Sequence, residues 1–312
     1  MQSIVVTSGE QYVDIDAVAS AIAYTELLGL TGNQATVVFP GILNQSVTPS
    51  IRALGLRYQS ECPTETNGFV IVDTSNPEAF AKCVDIDRVR EIYDHHSGFE
   101  NFWKERLNND CHIEAIGAAA TLIWEAFVRA GKDCKISRTS ARLLSYAIVS
   151  NSLNLRLPIT SDRDRSALCE LLSHADLPDG WIESYFKEVE QSVTADLRSA
   201  ITNDTKLDRI RGIHEPIAFG QLELWDPSEL LRTRKPEIRS VLSAINDRWM
   251  MNLPSLHNGH TTFVTPDTQL QSLLTTALGI EFHGDTAVAN VLYLRKTFIP
   301  LIEMVADSFP NA

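Results

Sequence analysis

The sequence predicts an α/β fold, with a doubly wound, mainly parallel sheet in a larger N-terminal domain and a smaller α/β domain behind it. Three observations carry this. Strand-like and helix-like segments alternate through the first hundred residues, the pattern of a parallel sheet with crossover helices. Several short β-rich runs stop at acidic or acidic-histidine clusters. After a long polar helix, a separate set of strand and helix signals begins.

The elements follow in order. Ser3-Ile4-Val5-Val6-Thr7 is a β-rich run. From Asp16 to Leu30 the apolar residues Val18, Ile22, Leu27 and Leu28 recur at helical spacing, closed by Gly29 and Gly32. Ala35 to Phe39 is a second strand, ended by Pro40-Gly41. Phe69-Val70-Ile71-Val72 leads into Asp73, and Arg90-Glu91-Ile92-Tyr93 leads into Asp94-His95-His96. Helices are expected from Glu114 to Gly131, from Thr139 to about Leu155 and, after Pro158, from Ser161 to Ala175. Asp162 and Asp164 stand near the start of the last one, where the helix dipole favours them. Trp181 to Ala200 reads as one polar helix carrying a hinge near Val189 to Ala195. Beyond it, strands are expected at Pro216 to Trp225, Thr261 to Thr265 and Ala287 to Leu294, and helices at Pro236 to Met250 and Pro266 to Leu278. His257-Asn258-Gly259-His260 reads as a turn before a strand.

Composition bounds the function. The chain has 312 residues, 44% apolar and 21% charged, which suits a globular protein with a sizeable core. Its 27 Lys and Arg against 40 Asp and Glu give a net charge of −13. That disfavours a non-specific nucleic-acid binder, which needs a basic surface to displace counterions. It does not exclude an anionic substrate, because bound metal ions and a few cations can invert the field inside a cleft. The aromatic residues carry no basic stripe for base stacking. No apolar run would span a membrane, and the first ten residues show no signal peptide. Five dispersed cysteines, Cys62, Cys83, Cys111, Cys134 and Cys169, without a CxxC pair, read as reduced and mostly buried thiols of a cytoplasmic protein.

The chemistry lies in the acidic clusters. If the runs before them are parallel strands, Asp14-Ile15-Asp16, Asp73 and Asp94-His95-His96 line the carboxyl edge of one sheet, where open α/β sheets bind ligands. Asp14 and Asp16 can each reach a metal ion while Ile15 packs away, and Asp73 can bridge. Carboxylates with imidazole suit Mn²⁺, Mg²⁺, Co²⁺ or Zn²⁺. Two such ions can clamp the attacking and leaving oxygens of a phosphoryl group. Each residue taken singly has an ordinary reading: Asp14 as a helix cap, Asp73 as a turn acid, His95-His96 as a surface pair.

The set Asp14-Ile15-Asp16-Ala17, Val72-Asp73 and Asp94-His95-His96 resembles that of the DHH phosphoesterases, and within them the manganese-dependent (family II) inorganic pyrophosphatases and their exopolyphosphatase and Prune-like relatives. Glu114-Ala115-Ile116-Gly117-Ala118-Ala119-Ala120-Thr121 is similar to the segment that follows the triad in those pyrophosphatases. Leu144 to Ser152 is similar to their fourth motif. Asp204-Thr205-Lys206 and Leu294-Arg295-Lys296 through Pro300 resemble the cation motifs of the DHH-associated C-terminal domain. The resemblance implies a DHH metal-binding catalytic domain over residues 1–190 and a phosphate-clamping domain over 196–312. It implies two divalent ions, Mn²⁺ first, with Mg²⁺ or Co²⁺ as alternatives. Asp14 and Asp73 would hold one, and Asp16, Asp73 and His95 the other. His96, Lys206, Arg295 and Lys296 would hold the phosphates.

Two positions depart from the pyrophosphatase pattern. Glu10 stands where the family has a His, and Asn151 where it has a metal-binding Asp. Both can still ligate through oxygen, so the site reads as retuned. The implied activity is hydrolysis of a phosphoanhydride, inorganic pyrophosphate first. Exopolyphosphatase, another phosphoester hydrolase, and a non-catalytic phosphate sensor or scaffold remain as alternatives. The expected partner is a small anionic phosphate compound, with no nucleic acid and no membrane; a homodimer is compatible with the sequence.

Overall fold

A computed structural model describes residues 3–10, 12–210, 213 and 215–306. The sequence expectations that run on to residue 312 therefore end outside the described residues. The chain forms two compact units, Met1–Ile182 and Glu183–Ala312.

The first unit runs β1 (Ser3–Thr7), β2 (Tyr12–Val13), α1 (Ile15–Leu30), β3 (Ala35–Val38), β4 (Ile42–Leu43), α2 (Pro49–Arg52), β5 (Thr66–Val72), β6 (Val89–Asp94), α3 (Glu100–Leu107), β7 (Cys111–Ile113), α4 (Ala119–Arg129), α5 (Arg138–Asn151) and α6 (Asp162–Ala175). Five strands form one all-parallel sheet in the order β3-β1-β5-β6-β7. Neighbouring residues Val5 and Val6, and likewise Ile71 and Val72, are all fully buried. Successive side chains of a strand point to opposite faces, so both faces of the sheet are covered, as parallel sheets require. Trp103 of α3 packs with Val5, Phe69 and Ile71. Helix α1 packs on β1, β3, α4 and α5. The chain leaves β1 for β3 on one side and later enters β5 on the other. The carboxyl ends of β1 and β5 therefore flank a topological switch point, the crevice where such sheets bind ligands.

Helix α7 (Trp181–Ala195) begins at the boundary between the units. The second unit continues with α8 (Leu197–Asn203), β8 (Thr205–Asp208), β9 (Ile217–Gln221), α9 (Ser228–Ile245), β10 (Trp249–Ser255), β11 (His260–Val264), α10 (Thr268–Leu278), β12 (Phe282–His283), β13 (Thr286–Ala289) and α11 (Arg295–Ala306). Its mixed six-stranded sheet has the order β12-β13-β11-β10-β9-β8, with only β9 and β10 parallel. His257 to Gly259 make the turn between β10 and β11, with Gly259 at φ +74°, a conformation that glycine adopts without strain.

Several expectations are corrected here. The helix expected from Pro236 to Met250 runs instead from Ser228 to Ile245, with Pro236 inside it. Met250 belongs to β10, whose seven residues are all buried. A strand covered on both faces shows no alternation, and Pro254 within it hid the rest of the signal. The strand expected to reach Leu294 stops at Ala289. Trp181 to Ala200 is two helices, because Asp196 leaves helical geometry and caps α8 through Ser199 N. The cysteines are not five reduced, mostly buried thiols: Cys62 and Cys83 form a disulfide, and Cys134 and Cys169 are exposed. Cys62 and Val84 pack against the same apolar cluster around Phe80 and Trp103, which brings together two cysteines that are 21 residues apart. Among the described residues, no helix is long and apolar enough to cross a membrane.

Asp267 caps α10 by accepting from Gln269 N at 2.9 Å and Leu270 N at 3.0 Å, and its other oxygen accepts from Arg248 Nε at 2.6 Å. Burial pushes its carboxyl up, but Arg248 and the two amides outweigh this and hold it below the usual carboxylate range. A depressed folded value stabilises above the ordinary carboxylate pKa of about 3.9, and the contribution is lost as pH falls through the folded value. Asp267→Ala should lower the unfolding free energy by about 1–3 kcal/mol at neutral pH. Thermal denaturation across pH checks this: the gap from wild type should close in strong acid.

Candidate metal centre

The acidic clusters gather at the carboxyl edge of the parallel sheet. Asp14 caps α1, its Oδ1 accepting from Asp16 N at 2.9 Å and Ala17 N at 3.0 Å. The ordinary reading of Asp14 is thus true of it, and the cap also fixes the carboxylate beside Asp73. Asp73 follows β5 with φ +58°, a left-handed conformation that Asp and Asn tolerate better than other side chains. Its N–H donates to Tyr93 O at 2.8 Å, which ties it to β6.

Asp16 is fully buried. Its Oδ2 accepts from Ala119 N and its Oδ1 from Ala120 N, both at 2.8 Å. These amides open α4, whose N-cap residue, Ala118, has no side chain to serve them. A carboxylate from α1 therefore caps a helix more than a hundred residues away in sequence. This explains why the small-residue segment after the histidines matters: Ala119 and Ala120 let the α4 backbone approach Asp16.

His95 is buried, and its Nδ1 lies 2.9 Å from Gly117 O and 3.3 Å from Ile116 O. Carbonyl oxygens only accept, so Nδ1 carries the proton and donates. In the neutral ring Nε2 is then a lone pair. It faces Asp73 Oδ1 at 3.3 Å and Asp16 Oδ2 at 3.8 Å. Asp73 Oδ1 is itself buried without a hydrogen bond. Three acceptors converging in this way call for a cation between them. A ring nitrogen backed by a backbone carbonyl and presented to carboxylates is also the usual dress of a metal-ligating histidine. The donor set fits a divalent ion of borderline hardness. Asp73, His95 and His96 each place one ligand atom within 4.8 Å of the others.

The electrostatics agree. Burial first, then the charges of Asp14, Asp16 and Asp94, push the Asp73 carboxyl well above its ordinary value. Asp94 differs. Burial pushes it up, but His96 outweighs this and holds it below the usual range. Asp94 Oδ1 accepts from His96 Nδ1 at 2.8 Å, from His95 N at 2.8 Å and from His96 N at 3.2 Å. One carboxylate thus orders both histidines. The His96 side chain is 44% exposed, and its ring meets His95 edge-on.

Glu10 directs Oε1 to Lys82 Nζ at 3.4 Å, and its Oε2 accepts from Lys82 N at 2.8 Å. Asn151 ends α5, and the backbone after it turns left-handed over Leu153, Asn154 and Leu155, with φ between +47° and +60°. In the second unit Lys206 is exposed on β8, and Arg295 and Lys296 open α11. Arg295 pairs with Asp204 and donates to Phe219 O at 3.1 Å, so the two cation motifs meet in space.

Sequence reasoning missed Asp164 as part of this region. It is fully buried on α6 and binds Gly117 N at 3.0 Å and Thr121 Oγ1 at 2.7 Å. The only trace in sequence was Gly117, where a Cβ would come within 2.9 Å of Asp164 Cγ.

No family model matches the chain. A probable manganese-dependent inorganic pyrophosphatase of Lactobacillus acidophilus is 27% identical over 163 residues, 51% of each chain, so the matched stretch spans about half the length of that relative. One of Bacillus cytotoxicus is 28% identical over 251 residues, 77% of each chain. A “putative family II inorganic pyrophosphatase” of Methanococcus jannaschii, solved by crystallography, has the same fold. Its TM-score is 0.73 at 19% identity, over 98% of this chain and 100% of that one. In sequence and in fold, the chain resembles the manganese-dependent, family II inorganic pyrophosphatases, as its acidic and histidine motifs implied.

Proposed function

We propose that the chain is a metal-dependent phosphohydrolase that splits a phosphoanhydride, with inorganic pyrophosphate as its substrate. The observation that carries this reading is the convergence of His95 Nε2 with the carboxylates of Asp73 and Asp16. Asp14, Asp16, Asp73 and His95 would hold the metal ions, and the manganese named for the relatives suits this donor set. Bound there, divalent ions would supply Lewis acidity towards the phosphoryl oxygens and acidify water. The chain's own groups do the rest. Asp94 grips His96 at Nδ1, which leaves Nε2 turned outward to bind a phosphate oxygen or hand a proton to the leaving phosphate. Asp94 stays ionised and keeps that orientation fixed. Lys206, Arg295 and Lys296 would be the cations for the substrate's phosphates, as the family resemblance implies, with Arg295 having to exchange its bond to Asp204 for a phosphate oxygen. Glu10, which also meets Lys82, and Asn151 would ligate through oxygen and retune the site.

The test is phosphate release from pyrophosphate by metal-stripped protein reloaded with Mn²⁺. Turnover in the ordinary enzyme range of about 1–1000 s⁻¹ is expected. His96→Ala should keep the fold and Mn²⁺ binding and lose about 100-fold or more in turnover, the usual weight of general-acid help. Unchanged turnover in that variant would remove His96 from the reaction. A strong preference for long polyphosphate chains over pyrophosphate would move the assignment to an exopolyphosphatase.

A further inference from the structure

We propose that Asp164 is a positioning residue: through Gly117 it fixes the carbonyl that sets the tautomer and ring plane of His95. The proposal rests on the reading of His95 as a metal ligand. Asp164 belongs to the capping box of α6, where its Oδ2 accepts from Ser161 N and Ser161 Oγ at 2.8 Å each. A capping box needs no more than that. Yet the same buried carboxylate reaches Gly117 N at 3.0 Å and Thr121 Oγ1 at 2.7 Å, from residues 47 and 43 positions earlier. Those two contacts sit on either side of Ala119 and Ala120, the amides taken by Asp16. Two buried carboxylates therefore grip one short segment, Asp16 by two amides at its middle, Asp164 by the Gly117 amide at one end and the Thr121 hydroxyl at the other.

The consequence passes to His95 through the backbone. Gly117 N points to Asp164, while Gly117 O accepts from His95 Nδ1 at 2.9 Å. Gly117 N shares one rigid peptide plane with Ile116 O, which lies 3.3 Å from the same ring nitrogen, and only the φ and ψ of Gly117 separate it from Gly117 O. The close approach exists only because residue 117 has no side chain: a Cβ there would lie 2.9–3.0 Å from the Asp164 carboxyl atoms. With Gly117 O in place, Nδ1 keeps its proton and Nε2 stays a lone pair aimed at Asp73 and Asp16. Without it, the ring is free to turn and to exchange tautomers, and the ligand atom is no longer presented.

Two measurements on the full chain test this: Mn²⁺ affinity from the electron paramagnetic resonance of free Mn²⁺, counted per folded molecule, and the ¹⁵N NMR tautomer of His95 in metal-free protein. Wild type is expected to show Nδ1 protonated. Asp164→Ala should mix the tautomers and weaken Mn²⁺ binding by about 10–100-fold, the usual cost of losing a group that orients a ligand. Asp164→Asn keeps an acceptor for Gly117 and Ser161, while the Thr121 hydroxyl can turn to accept; it should stay within about threefold of wild type. Thr121→Val removes one partner of Asp164 but leaves Gly117, so it should lower stability without changing affinity. If Asp164→Ala does not fold, Gly117→Ala carries the test, since its methyl forces the pair apart with the carboxylate still present. An unchanged His95 tautomer and unchanged Mn²⁺ affinity in either folded variant would overturn the proposal, as would a wild-type ring protonated at Nε2. Failure of the pyrophosphatase reading would appear separately, as wild type that releases no phosphate; the tautomer measurement does not depend on it.

Discussion

Asp73→Asn should abolish phosphate release while making the metal-free protein more stable. Asp73 is the most crowded acid of the site, pushed well above its ordinary value by burial and then by Asp14, Asp16 and Asp94. A carboxyl raised on folding is ionised more readily in the unfolded chain. The folded state then holds the extra proton, and stability falls as pH rises from about 3.9, the ordinary value, through the folded one. Metal-free wild type at neutral pH therefore carries an electrostatic penalty that the amide removes. Asn also tolerates the φ of +58° at this position, so the substitution adds no backbone strain. The expected result is a metal-free Tm above that of wild type, by about 2–4 °C for each kcal/mol relieved. Its profile should be flatter between pH 4 and neutrality. With Mn²⁺ the order reverses, because wild type gains binding energy by mass action, about 2.7 kcal/mol when the ion stands at 100 times its Kd. Loss of turnover should be at least about 100-fold, since removing merely an outer partner of a ligand costs up to that much. Calorimetry with and without chelator decides it: equal or lower metal-free stability in the variant would refute the picture of a repulsive, cation-seeking cluster.

Asp16→Ala should instead damage the fold. The carboxylate is fully buried and serves Ala119 N, Ala120 N and, at 3.3 Å, Ser20 Oγ. Its removal leaves the first amides of α4 buried without acceptors, at about 1–3 kcal/mol each. Relief of its repulsion on Asp73 offsets a part, so a net loss of about 2–5 kcal/mol is expected. Asp16→Asn retains one acceptor oxygen and should lose less stability while still weakening Mn²⁺ binding. Denaturant unfolding of metal-free protein separates the two: equal stabilities for Ala and Asn would show that Asp16 does not hold α4.

These two acids also show what a sequence can and cannot reveal. Asp14, Asp73 and Asp94 were legible because each ends or follows a short β-rich run, and strand order places such ends together. His95 and His96 were legible as a pair, but not the division between them, a buried ring on Gly117 O and a half-exposed ring on Asp94. That division depends on a backbone carbonyl, which leaves no mark on residue type. Asp164 escaped for the same reason: its work is done on Gly117 N, and in sequence it looked like a helix-start acid. The pairing of Arg295 with Asp204 was hidden by 91 residues of separation, although both motifs were noticed singly. Strand β10 and helix α11 were missed because full burial erases alternation in one, and a proline at position 300 interrupts the helical pattern in the other.

The all-parallel order β3-β1-β5-β6-β7 has a kinetic meaning as well. Every pairing in that sheet joins strands separated by a crossover, so each closes a long loop before any contact rewards it. The metal-facing groups come from residues 14 to 96, and their supports from residues 117 to 164. The first set leaves β2, β5 and β6, so a cation would meet its ligands only once these distant segments have come together. A cation held there would act as a clasp on the assembled unit, slowing escape from the native state more than it speeds the climb towards it.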